Sequence, residues 1–250
     1  MCYGEPVQVS LESDRVLLDR TSTAERVADI LRTRIIQGFF PPGRRLVEGA
    51  IDAALGVSRN TLREAFRLLT HEGLLTHELN RGVFVRIPSV ADVVDIYRVR
   101  RLVECPAVRG VTADAVVTDA VLVDALERIG TTLAAAERAE AADEWLGLGT
   151  ANILFHQEIA RLAGSPRVDE LMRRTLAELR LVFHVMADPR RFHEPYLDRN
   201  RQILERLRAG DGAGAEVQLT AYLDDAERQL VQAYTAVRGP DRHTEVTVDG

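Results

Sequence analysis

The chain contains no lysine, only two cysteines, and no apolar run long enough to cross a bilayer. Each shortage excludes something. Without about 18 consecutive apolar residues there is no membrane span. Cys2 and Cys105 cannot supply a disulfide framework or a structural zinc site. The start, Met1-Cys2-Tyr3-Gly4-Glu5-Pro6, lacks the basic flank and apolar stretch of a secretory signal. A reduced, cytoplasmic setting is the expectation. Every fixed side-chain positive charge is a guanidinium, because lysine is absent.

What is present is enough for a packed protein. The 250 residues are 46% hydrophobic and 28% charged, which allows a real core and one or two domains. The net charge of −6 alone argues against a polyanion partner. Its distribution argues the other way. Residues 20–87 hold 11 Arg against 7 acids, whereas residues 88–250 hold 20 against 27 and residues 1–19 hold 1 against 4. A basic block beside an acidic body suits a two-part molecule with one part facing a polyanion.

Hydrophobic spacing gives the organisation. Residues 1–20 show no periodicity and read as a loose arm. A helix begins at Ser22 or Thr23, with Val27, Ile30, Leu31 and Ile35 on one face, and stops at Gly38 before Pro41-Pro42-Gly43. A short helix turns Ile51, Ala54 and Leu55 inward. Gly56-Val57 turns the chain, and Ser58 is placed to cap a third helix by accepting from its free first-turn N–H groups. That helix buries Leu62, Ala65, Phe66 and Leu69 and ends at Gly73. Leu74–Leu79 and Val83–Ile87 read as strands about the turn Asn80-Arg81-Gly82. Residues 88–91 form a linker at Pro88-Ser89.

From 92 to 237 the pattern is helical only. It reads as about six helices in an antiparallel bundle, the first interrupted or kinked by Pro106. Residues 238–250 read as a frayed tail. The expected fold is therefore mainly α: a winged helix-turn-helix domain over 21–87, then an all-helical domain.

The third helix would be the recognition helix, with its N-terminal residues at base edges in the major groove. Arg59 can donate bidentately to guanine, and Asn60 matches adenine. Ser58 and Thr61 can reach phosphate or a thymine methyl, and Arg63 follows Arg59 one turn on. These residues, with Asn80, Arg81 and Gly82 at the wing tip, are the candidate DNA contacts.

Several spaced stretches occur in one order: Ile35-Ile36-Gln37-Gly38, Pro41-Pro42-Gly43-Arg44-Arg45-Leu46, Leu55 to Ala65, Glu72-Gly73-Leu74 and Arg81-Gly82-Val83-Phe84-Val85. On these, residues 24–87 resemble the DNA-binding domain of the GntR family of bacterial transcription regulators. The resemblance implies that Ser58, Arg59, Asn60, Thr61 and Arg63 contact double-stranded operator DNA, and that the wing approaches the minor groove. The chain departs from the pattern in helix two. It has Gly49 where an Arg is frequent, and Ile51-Asp52 where a Leu-Ala pair is usual.

The second half resembles the FCD ligand-sensing domain of the FadR-type subfamily. The carrying residues are Arg100 with Glu104, the run Phe155 to Pro166, and Arg201 to Asp211. The resemblance implies a homodimer, a small-molecule effector, repression as the usual outcome, and in many members a divalent metal. The aligned metal positions here are Asn152, His156, Asn200 and Tyr222. Only His156 is a good ligand, so no cofactor is expected and the metal is a minor reading. Two readings of the four positions stand open: an effector pocket, with Arg100 and Arg180 as carboxylate partners, or a self-satisfied core network.

Other features carry less. Gly210-Asp211-Gly212-Ala213-Gly214 follows a helix and lacks a following Lys, so it reads as a helix–helix turn rather than a phosphate loop. Cys105 and Trp145 read as core. His184 faces the pocket in this reading, and His193 reads as a solvated loop residue near the break at Asp188-Pro189. The rival functions are an enzyme with His156 as base and a protein-interaction adaptor.

Overall fold

In the computed structural model, residues 22–186 and 190–238 are described. The arm at 1–20, the break at Asp188-Pro189 and nearly all of the tail at 238–250 lie outside them. The element order is α1 (Thr23–Ile36), β1 (Arg45–Leu46), α2 (Glu48–Leu55), α3 (Arg59–His71), β2 (Leu75–Glu78), β3 (Gly82–Val85), α4 (Val90–Arg109), α5 (Ala113–Thr118), α6 (Ala120–Ala141), α7 (Trp145–Arg161), α8 (Pro166–Val185), α9 (Arg190–Arg208) and α10 (Gly212–Arg238). Among the described residues no helix is long and apolar enough to cross a membrane.

The first five helical and strand signals read from spacing are present, with local corrections. Ser22 caps α1 in a reciprocal box: its Oγ accepts from Glu25 N at 3.1 Å, and Glu25 Oε2 accepts from Ser22 N at 2.6 Å. The buried stripe of α1 is Ala24, Val27, Ala28, Leu31 and Ile35. Ile30, expected inward, lies off that stripe and is exposed. Ala54 is likewise exposed, so α2 is anchored chiefly by Ile51. The antiparallel sheet has the order β1-β3-β2, with Arg45 opposite Phe84 and Thr76 opposite Phe84 on the other side. The strand β1 was not expected. The wing strands are shorter than expected, and Leu79 stands in solvent at the tip. Asn80 (φ 61°) and Gly82 (φ 105°) provide the left-handed backbone of the turn.

Among the described residues the second half holds seven helices rather than about six, because the short α5 precedes α6. Pro106 does not interrupt α4. The helix continues to Arg109, and the carbonyl left without a donor belongs to Leu102, which lies on the solvent side. A large core joins Val93, Ile129, Phe155, Met172, Leu204 and Leu223 from six helices. Trp145 is only half-buried at the start of α7, with Arg190 over its ring at 4.8 Å. Leu171 is exposed, outside the stripe of α8.

The helix α8 serves both halves. Met172, Leu179 and Val182 enter the bundle core, whereas Ala177 and Leu181 belong to the core formed by α1, α3 and the wing. Polar contacts reinforce the joint. Arg86 pairs with Glu178 at 2.5 Å and with Asp92 at 2.6 Å. The carbonyl of Ile36, an end carbonyl of α1, is taken by His184 Nε2 at 2.7 Å and by Arg180 Nε at 3.4 Å.

Candidate nucleic-acid interface and bundle cluster

The start of α3 is shaped by its cap. Gly56 ends α2 in the left-handed conformation (φ 65°), which reverses the chain. Ser58 then accepts from Thr61 N at 3.1 Å, and its Oγ lies 2.8 Å from Thr61 Oγ1. This fixes the first turn, so Arg59, Asn60 and Arg63 project from the face opposite Leu62, Phe66 and Leu69. The Arg59 and Arg63 side chains are 76% and 63% exposed. Arg81 extends from the wing, paired with Glu78 and resting over Phe84 at 5.5 Å. Arg63, Arg67, His71 and His77 line the groove between α3 and the wing.

Two carboxylates of α2 face this surface. Asp52 lies 3.5 Å from Arg59, and Glu48 accepts from Arg63 at 3.1 Å. The Ile51-Asp52 departure thus places an anion against the first recognition arginine. Spacing did not reveal it, because the two helices meet across a turn.

Inside the bundle a polar chain runs from α4 through α7 to α10 and α9. Arg100 Nε donates to Glu104 Oε1 at 2.8 Å. Glu104 Oε2 lies 2.7 Å from His156 Nδ1, and His156 Nε2 lies 3.0 Å from Tyr222 Oη. Tyr222 Oη lies 3.3 Å from Asn152 Oδ1, and that oxygen accepts from Asn200 Nδ2 at 2.7 Å. Arg100, Glu104, His156, Asn200 and Tyr222 are all buried.

The charges follow from burial and pairing. Burial opposes the ionised Glu104, but the adjacent Arg100 and His156 outweigh it and hold the carboxyl below its ordinary range. Burial, then the nearby Arg100 charge, pushes His156 down. The neutral ring therefore donates from Nδ1 to Glu104 and accepts the Tyr222 hydroxyl proton at Nε2. Burial raises the Tyr222 phenol, keeping it protonated. Two buried atoms are left over: Arg100 Nη2 and Asn200 Oδ1 have no hydrogen-bond partner.

Four of the six residues expected around the effector, Asn152, His156, Asn200 and Tyr222, come together with Arg100. Arg180 does not. It lies at the joint with α1, bonding Leu146 O at 2.9 Å and Thr150 Oγ1 at 3.2 Å. His193, expected in a solvated loop, is buried on α9 against Phe183, with ring centroids 4.6 Å apart. Its signal was present: it lies seven residues before Asn200, hence on the same helix face. Glu104, beside Arg100 in the family-like stretch, takes its role only from the fold, where it links Arg100 to His156. Cys105 is buried, 3.3 Å from Thr220 Oγ1.

Comparison with known proteins finds a match for each half of the chain. The profile described as bacterial regulatory proteins, gntR family, matches residues 23–85, and that of the FCD domain matches residues 95–225. A crystal structure of a GntR transcriptional regulator from Rhodococcus sp. RHA1 is 50% identical, with a TM-score of 0.80 over 86% of this chain and 100% of that one. The chain belongs to the GntR family. Across 82% of this regulator and 88% of the relative, it is 30% identical to the Paenarthrobacter nicotinovorans protein named "Probable D-xylose utilization operon transcriptional repressor". The Nta operon transcriptional regulator of Aminobacter aminovorans is 44% identical over 70 residues, 28% of this chain and 33% of that protein. These relatives are transcription regulators, which sets aside the reading of His156 as an enzymatic base.

The residues of this GntR-family regulator do not fit a divalent metal at the aligned bundle positions. Both nitrogens of His156 are engaged by Glu104 and Tyr222, Asn152 and Asn200 offer neutral amides, and the phenol stays protonated. Among the described residues no three His, Cys, Asp or Glu side chains form a metal-holding group.

Proposed function

We propose that this regulator is a homodimeric, ligand-responsive repressor that binds pseudo-palindromic operator DNA. The observation that supports this best is the exposed, arginine-bearing start of α3 beside a basic wing tip. In this reading Arg59 and Asn60 read base edges, while Ser58, Thr61 and Arg63 hold phosphates or a thymine methyl. Asn80, Arg81 and Gly82 approach the minor groove. Two such helices related by a two-fold axis read two half-sites. The molecule works in the cytoplasm.

The effector is a small metabolite carrying a carboxylate, held in the FCD domain by Arg100, His156, Asn152, Asn200 and Tyr222. What supports this is the pair of unsatisfied buried groups, Arg100 Nη2 and Asn200 Oδ1, one a cationic donor and the other an acceptor. An effector acts by preferring one arrangement of the two winged domains. The test is selection of operator sequences from a random duplex pool, followed by binding at rising salt. Enrichment of an inverted repeat and a steep loss of affinity with salt are expected. Failure to enrich any sequence would remove the reading.

A further inference from the structure

The buried guanidinium of Arg180 has no counter-ion among the described residues. Among the described residues no carboxylate lies within ion-pairing distance, and its acceptors are three neutral oxygens: Ile36 O, Leu146 O and Thr150 Oγ1. Burial lowers its pKa only to about 10, so it stays charged at neutral pH. A buried charge without a partner is costly, and proteins rarely keep one without a use. Its third nitrogen, Nη1, makes no hydrogen bond among the described residues.

A second group shares the place. His193 is buried, and neither ring nitrogen has a hydrogen-bond partner among the described residues. The gap that admits both comes from Gly149 of α7. A Cβ there would collide with Arg180 Nη1 and would fall 2.6 Å from His193 Nε2. The two nitrogens thus crowd the same glycine from different helices.

Arg180 also lines a cavity of about 380 Å³ at the joint of the two halves. Ile36, Ile153, Leu154, Leu176 and Ala177 make its walls mainly apolar; Arg161 and Arg173 also line it but are paired with the lining carboxylates Asp169 and Glu170, which leaves Arg180 as the unpaired cation among these lining residues. A cationic donor beside an apolar chamber is the recognition chemistry of an acid with a hydrocarbon body. We propose that this joint is a binding site for a small organic carboxylate with an apolar body. Its carboxylate is taken by Arg180, assisted by the His193 N–H, and its body lies between α1, α7 and α8. The site is separate from the Arg100 cluster and does not depend on that cluster's being an effector pocket.

Calorimetric titration of the full chain with hexanoate, and with hexanamide as its neutral match, tests this. Hexanoate is expected to bind, hexanamide at least about tenfold more weakly, and Arg180→Gln should weaken hexanoate by a similar factor. Arg98→Gln, at an exposed arginine of α4 outside both sites, should leave it unchanged. His193→Phe keeps the ring that packs on Phe183 and removes both nitrogens, so it should fold and bind hexanoate severalfold more weakly. Gly149→Ala should block the site even if Arg180→Gln proves unstable. Equal binding of hexanoate and hexanamide would overturn the proposal. So would loss in Arg100→Gln with retention in Arg180→Gln, which would place the carboxylate in the bundle cluster. Absence of heat with acetate, hexanoate and phenylacetate alike would also overturn it. Operator binding by each variant, followed in parallel, keeps a failure here distinct from a failure of the regulator reading.

Discussion

Arg59 begins α3 with its guanidinium 3.5 Å from Asp52, so in the proposed reading a carboxylate and a DNA base edge compete for one charge. The pair is exposed on the arginine side and contributes little to folding. Its consequence falls on binding. Asp52→Ala should tighten operator binding about twofold to fivefold, since the Asp52 contact no longer has to be given up. Fluorescence anisotropy with labelled duplex measures it, and weaker binding would show that Asp52 instead orients Arg59. Arg59→Ala should cost about 1–3 kcal/mol and relax the preference at one base pair. Arg81→Ala, at the wing, should weaken all sequences more evenly. A panel of single-base operator variants separates the two. If both substitutions give the same uniform loss, neither residue reads bases as assigned.

At the scale of elements, α3 depends on its entry. Gly56 reverses the chain and Ser58 satisfies the Thr61 N–H. Ser58→Ala should lower stability by about 1 kcal/mol, seen as a shifted urea midpoint with an unchanged slope. Unchanged stability would mean that water serves the cap equally well. This helix was legible in the sequence because its signals are local: a turn glycine, a capping serine, and an apolar face repeating every three or four residues. The same holds for α6, α8 and α9. The two residues of β1 carry no period, and α5 is too short for one. The bundle cluster was half legible. Asn152 and His156 share a face by spacing, and the family likeness brought Asn200 and Tyr222 beside them. Glu104 and His193 acquire meaning only from partners on other helices. Arg180 was placed with the wrong group for the same reason. Sequence spacing shows that it faces inward, not that the inward neighbour is the end of α1.

For the whole molecule, buried histidines tie the fold to pH. Burial pushes down His156, His184 and His193, the last to about 3; the Arg100 charge adds to the effect at His156, and the Arg180 charge at His184 and His193. The folded chain holds these rings neutral, whereas the unfolded chain protonates them below about pH 6.5. The unfolded state therefore binds more protons in the window between the folded and unfolded values, and stability falls as pH drops through it. For His193 alone the loss between pH 7 and pH 5 is about 2 kcal/mol. Glu104 acts lower: its depressed carboxyl contributes above its unfolded value near 4.5 and ceases to as pH falls further. The two windows can be told apart by mutation. His193→Phe retains the contact with Phe183 but has nothing to protonate. Its urea-unfolding free energy should fall less steeply than that of the parent chain between pH 7 and pH 5, and the two curves should run parallel below pH 3. Parallel curves between pH 7 and pH 5 would mean that His193 is already charged in the fold. Arg180 would then have a cation beside it, and the joint could not remain closed without an anion.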